Sequence, residues 1–160
     1  MTSEREVLRS TLDAQREHVL GILDGLDGDA LQRAVLPTGW TCLGLVHHLA
    51  VDVERFWFRS IMANDPVELD ESENAWHVPP GMSTHAVLDL YRREIELANA
   101  EIRDMPLDAA PARWPEEWGS WRLEDLRGVM LHVITETATH AGHLDAVREL
   151  IDGRTWLILT

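Results

Sequence analysis

Glu136 and His140 are the two residues of this 160-residue chain whose types and spacing best suit chemistry. They stand four apart in a stripe that otherwise reads Val129, Val133, Leu144, Val147 and Ile151. A carboxylate and an imidazole one helical turn apart can both reach one ion, with a third ligand from a facing helix. His132 and His143 lie on the neighbouring edge of the same face. The candidate third ligand is in His47-His48: His48 shares a helical face with Leu45, Asp52 and Phe56, while His47 points about 100° away. Two imidazoles and one carboxylate leave a coordination position open, the arrangement of catalytic zinc sites. Nickel, iron and manganese accept the same donors. Spacing by itself leaves a second reading open, in which Glu136 simply hydrogen-bonds His140 and so avoids the cost of an unpaired carboxylate.

Four helices are needed to position these residues. Leu8, Leu12, Val19, Leu23 and Leu26 predict a first helix over residues 3–26, ended by the Gly25 to Gly28 region. A second helix starts near Thr41 as N-cap and runs to about Ala63, where Asn64-Asp65-Pro66 stops it. Leu88, Tyr91, Ile95, Ala98, Ile102 and Met105 step by three and four along a third, capped by Ser83 or Thr84 and closed by Pro106. The fourth is expected to start at Ser120 as cap and to reach Asp152, with Gly153 as its stop. Strand-like alternation, internal repeats and low-complexity tracts are missing. The expectation is therefore an all-α chain, a four-helix bundle with long connections and a single domain over residues 1–160.

Composition narrows the function. A formal net charge of −14, with all fourteen basic residues arginine, argues against binding a phosphate backbone. The single cysteine, Cys42, excludes an intramolecular disulfide and a cysteine-rich zinc site. The start Met-Thr-Ser-Glu-Arg-Glu lacks the apolar core of a signal peptide, and no run approaches the roughly 20 apolar residues of a membrane span. A cytoplasmic protein without nucleic-acid or membrane partners is expected. The end Trp156-Leu157-Ile158-Leu159 is apolar enough to pack on the bundle or on a second subunit. Trp114, Trp118 and Trp121 read first as core beneath a long loop, and second as the wall of a pocket.

Two stretches carry a family resemblance: Leu36-Pro37-Thr38-Gly39-Trp40-Thr41 with Gly44-Leu45-Val46-His47-His48-Leu49-Ala50, and Leu131-His132-Val133-Ile134-Thr135-Glu136-Thr137-Ala138-Thr139-His140-Ala141-Gly142-His143-Leu144-Asp145. They resemble the DinB superfamily, more narrowly its actinobacterial branch, over residues 12–154. The resemblance implies a four-helix bundle with a divalent metal on His48, Glu136 and His140. Many members have His where this chain has Glu136; the mycothiol-dependent maleylpyruvate isomerases of the superfamily have Glu. His143 stands where the common motif has Gln, as an alternative ligand or a neighbour of the ligands, and Asp52 is placed to orient a ligand ring.

The resemblance further implies a metal-dependent enzyme that joins a low-molecular-weight thiol of the mycothiol type to a small electrophile. Arg55 and Arg59 are the candidates to pair with a cofactor carboxylate. The isomerases carry a further C-terminal domain, and this chain ends soon after the fourth helix, so transfer is expected rather than isomerisation. A reading from another class is a non-catalytic metal- or small-molecule-binding bundle of a stress response. The habit of the family favours a homodimer.

Overall fold

Ser3 and Glu6 open the first helix by satisfying each other's backbone: the Ser3 hydroxyl accepts from Glu6 N at 3.3 Å and the Glu6 carboxylate accepts from Ser3 N at 2.7 Å. In this computed structural model, which describes residues 2–67 and 74–156, that helix is α1, Glu4–Leu23. Leu8, Leu12, Val19, Ile22 and Leu23 are buried on one face, together with Arg16. Gly25, at φ +78°, turns the chain out of it. A further short turn, α2, Gly28–Leu31, is capped by Asp27 and was not foreseen.

Thr41 caps α3, Cys42–His48, its hydroxyl accepting from Gly44 N at 3.0 Å. The chain then continues, over Leu49–Met62, as a wider helix with i→i+5 bonding, visible at its end where Ala63 N donates to Phe58 O at 3.2 Å. Leu45, Leu49, Val53, Trp57 and Ile61 are all buried, and so are Val46, Ala50, Glu54, Phe58 and Met62. Both rows repeat every four residues, a spacing that drifts by about 40° per step in an α-helix at about 100° per residue.

Ser83 caps α4, Thr84–Ile102, which buries Val87, Tyr91, Glu94, Ala98 and Ile102. The connection from 103 to 125 holds one 3-10 turn, Glu116–Trp118, and is tied to its neighbours by backbone bonds from Arg113 N to Ile61 O at 3.1 Å and from Leu126 N to Ala109 O at 2.9 Å. The last helix, α5, Leu126–Asp152, is capped by Asp125, whose carboxylate accepts from Gly128 N at 2.8 Å. Ser120 therefore is not its cap: the bond from Leu126 N to Ala109 O keeps the preceding chain outside the helix until Asp125. Gly153, left-handed at φ +78°, ends α5 as expected.

All regular structure among the described residues is helical, as the periodicity predicted. α1 packs along α5, α4 packs along the wide helix and α3, and α5 crosses against the wide helix. The buried apolar side chains form one core cluster. Among the described residues no helix is long and apolar enough to cross a membrane. Near the end of the chain the Trp156 ring lies against Gly21 of α1, and the Trp156 backbone N–H donates to Asp145 Oδ1 at 2.6 Å. Leu157, Ile158 and Leu159 lie outside the described residues.

Candidate metal centre

Helix α5 brings Glu136 and His140 together directly, with His140 Nε2 3.1 Å from Glu136 Oε1. The other imidazole arrives from the end of α3, where the wide helix lies against α5: His48 Nε2 is 3.9 Å from the same Glu136 oxygen. One ligand atom from each of the three residues lies within 4.8 Å of the other two. His140 is buried and His48 nearly so, whereas the Glu136 side chain is 37% exposed. Glu136 thus departs from the core-facing position that its stripe suggested; Thr137 is buried instead, and Glu136 faces a cavity.

The orientation of the His48 ring is fixed by a neighbour on its own helix. Its Nδ1 lies 2.9 Å from Asp52 Oδ2 one turn on, so the Nδ1 hydrogen is donated to that carboxylate and Nε2 keeps its lone pair toward Glu136 and His140. Nε2 is buried and has no hydrogen-bond partner among the described residues. A buried ring nitrogen left without a partner is a cost that a bound cation would remove. Burial, and next the neighbouring His48, hold His140 below the ordinary imidazole range, with the Glu136 hydrogen bond opposing. That favours the neutral ring a ligand needs. His143 Nδ1 stands 3.4 Å from His140 Nδ1, beside the three-residue cluster and exposed to solvent.

Trp76 closes the site from one side. Its ring stacks on His48 at 4.4 Å between centroids and 17° between planes, and meets His140 edge-on at 5.3 Å. Two features of α3 hold it there. The carbonyl of the neighbouring Ala75 accepts from His47 Nδ1 at 2.7 Å, and the Trp76 carbonyl sits where a Cβ on Gly44 would be, 2.1 Å away. His47, turned away from the ligands as helical geometry predicted, anchors their cover. Trp76 itself was missed; the available signal was a glycine at the start of a helix with two histidines one turn later.

On the other side a cavity of about 450 Å³ opens, with His48, Asp52 and Glu136 at one end and Val53, Phe56, Trp57, Trp118 and His132 lining the rest. Burial holds His132 below the ordinary imidazole value, Glu136 opposing. Cys42 is fully buried and its thiol is pushed up to about 11 by that burial, so it is protonated at neutral pH and no nucleophile.

Arg55 and Arg59 are not brought into this cavity. Arg55 donates to Glu94 Oε1 at 2.8 Å, and Arg59 donates to Glu94 Oε2 at 2.9 Å and to Asp65. Glu94 is buried on α4, so both guanidinium groups tie the wide helix to α4. No curated protein and no solved structure gives a significant match to the chain. The sequence model of the mycothiol S-transferases matches residues 7–153, and the chain belongs to that family, within the DinB-like superfamily.

Proposed function

We propose that this chain is a zinc-dependent mycothiol S-transferase, a four-helix bundle that holds the metal on His48, Glu136 and His140 and joins the thiol to a small electrophile. One observation carries the reading: three ligand atoms lie within 4.8 Å of one another, and one of them, His48 Nε2, is buried with no partner among the described residues. Two neutral imidazoles and one carboxylate are the donors of open, catalytic sites. A divalent ion held there supplies Lewis acidity that lowers the pKa of a thiol and keeps it as the thiolate.

The protein's own part is positioning. Asp52 orients the His48 ring, and Trp76 covers the face of His48 and meets His140 edge-on. Glu136 faces both the imidazoles and the cavity, so a substrate thiol entering the cavity meets the site along the Glu136 edge. With Cys42 buried, the reacting sulfur comes from the substrate.

Elemental analysis of protein purified without an affinity tag is expected to find about one zinc per chain. His48→Ala and His140→Ala are each expected to lose it, together with all consumption of mycothiol in the presence of an electrophile. Metal that persists undiminished in both variants would sink the site assignment. Stoichiometric metal without turnover of any thiol would return the protein to the non-catalytic binding class.

A further inference from the structure

Six of the seven tryptophans gather around the metal centre, on two sides with different tasks. Trp40 and Trp76 stand on the covered side, against His143 and His48. The other four line or back the open cavity. Trp57 and Trp118 face it with Phe56, at centroid separations of 5.3 to 5.6 Å from one another. Trp114 and Trp121 pack behind them, with Trp114 Nε1 donating to Trp121 O at 3.2 Å. His132 closes the wall with its ring 4.6 Å from Trp57. Core cover alone would bury these rings, but Trp118 is only half-buried and Trp121 is 48% exposed.

We propose that this aromatic wall is the binding site for the second substrate, and that the electrophile is a neutral, planar aromatic compound whose ring lies against Phe56, Trp57 and Trp118. The inference rests on the transferase reading above. The cavity, at about 450 Å³, is of the size that encloses a small organic ligand, and its aromatic end offers ring faces and edges with a single polar group, His132. A hydroxyl-rich thiol would leave its hydrogen-bonding groups without partners there. No arginine lines the cavity to pair with an anionic group, so its aromatic end favours a neutral ring.

The wall and the metal ligands share one cavity, so a ring seated on the wall presents a carbon toward Glu136 and His48. In the transfer the thiolate sulfur bonds to that carbon, the carbon–chlorine bond of an aryl chloride breaks, and chloride leaves with the bonding pair. The thiol proton passes to solvent.

The test uses the full-length, zinc-loaded protein with mycothiol and two chlorides, an aromatic chlorodinitrobenzene and the aliphatic chloroacetamide, each corrected for the uncatalysed rate. The kcat/KM ratio is expected to favour the aromatic chloride by at least about tenfold, and to fall about tenfold in Trp118→Ala and measurably in Phe56→Leu. Calorimetric titration with dinitrotoluene, which has no leaving group, is expected to give saturable binding that weakens about tenfold in Trp118→Ala. Turnover of both chlorides with a ratio unmoved by either substitution would overturn the aromatic assignment and leave the transferase standing. Saturable binding without turnover of either chloride would overturn the transferase reading and leave a site for an aromatic ring.

Discussion

At the scale of single residues the site depends on imidazoles that stay neutral. Burial holds His140 and His132 below the ordinary imidazole range, and Asp52 orients the His48 ring. His132 offers the cleanest check, because it faces the cavity without belonging to the ligand cluster. Its value in the folded chain lies below that in the unfolded one, so the unfolded chain takes up the proton first as pH falls. The stability His132 contributes is therefore present above about pH 6.5 and is lost as pH drops toward the folded value. The thermal midpoint of metal-free protein should fall more between about pH 7.5 and about pH 5.5 in the wild type than in His132→Phe. Equal slopes would mean that the burial around His132 does not penalise its charge. Spacing in sequence made Glu136 and His140 candidates, and the family resemblance added His48. Spacing could not show that Glu136 faces a cavity, because a stripe records which side of a helix is turned inward but not what stands opposite.

At the scale of elements, α3 and its wide continuation do most of the positioning. The wide helix puts Asp52 and Phe56, and Val53 and Trp57, into the lining of the same cavity. An α-helical reading of that segment finds its limits but not its winding. Gly44 is the point where α3 and the segment carrying Trp76 come closest. A Cβ there would collide with the Trp76 carbonyl, a backbone atom that has little room to give. Gly44→Ala is expected to lower stability by about 1–3 kcal/mol, roughly 2–12 °C in thermal midpoint, and to weaken zinc binding by displacing Trp76 from His48. Melting curves and a zinc titration measured side by side would check it; an unchanged zinc affinity would show that the stacked cover does not fix the His48 ring.

At the scale of the whole molecule, buried ion pairs lock the helices into one arrangement. Arg16 of α1 donates through Nε and Nη2 to both oxygens of Glu54 on the wide helix, each at 2.7 Å, and through Nη1 to Asn99 of α4 at 2.9 Å. Arg16 and Glu54 are 3% and 0% exposed, which places the pair beyond the screening that makes surface pairs weak. Arg16→Met alone strands the Glu54 carboxylate and is expected to cost about 3–5 kcal/mol. Adding Glu54→Leu should recover most of that loss in a denaturant melt, since no charge is then left buried. A double variant no more stable than the single one would show that the pair acts through packing rather than charge compensation.

The chain by itself determined the local features: where α1 and α4 begin and where α5 stops, that the regular structure of the described residues is helical, and that Glu136 and His140 share a turn. Each of these is set by neighbours within a few residues, through caps, breakers and the pitch of a helix. Only the tertiary structure decided the rest. It set His48 Nε2 against Glu136 across the contact of the wide helix with α5, and engaged Arg55 and Arg59 with Glu94 instead of the cavity. It also turned a tryptophan-rich connection into one wall of that cavity. The physical reason is common to all three: periodicity fixes which face an element buries, whereas the partner it meets depends on packing between elements far apart in the chain.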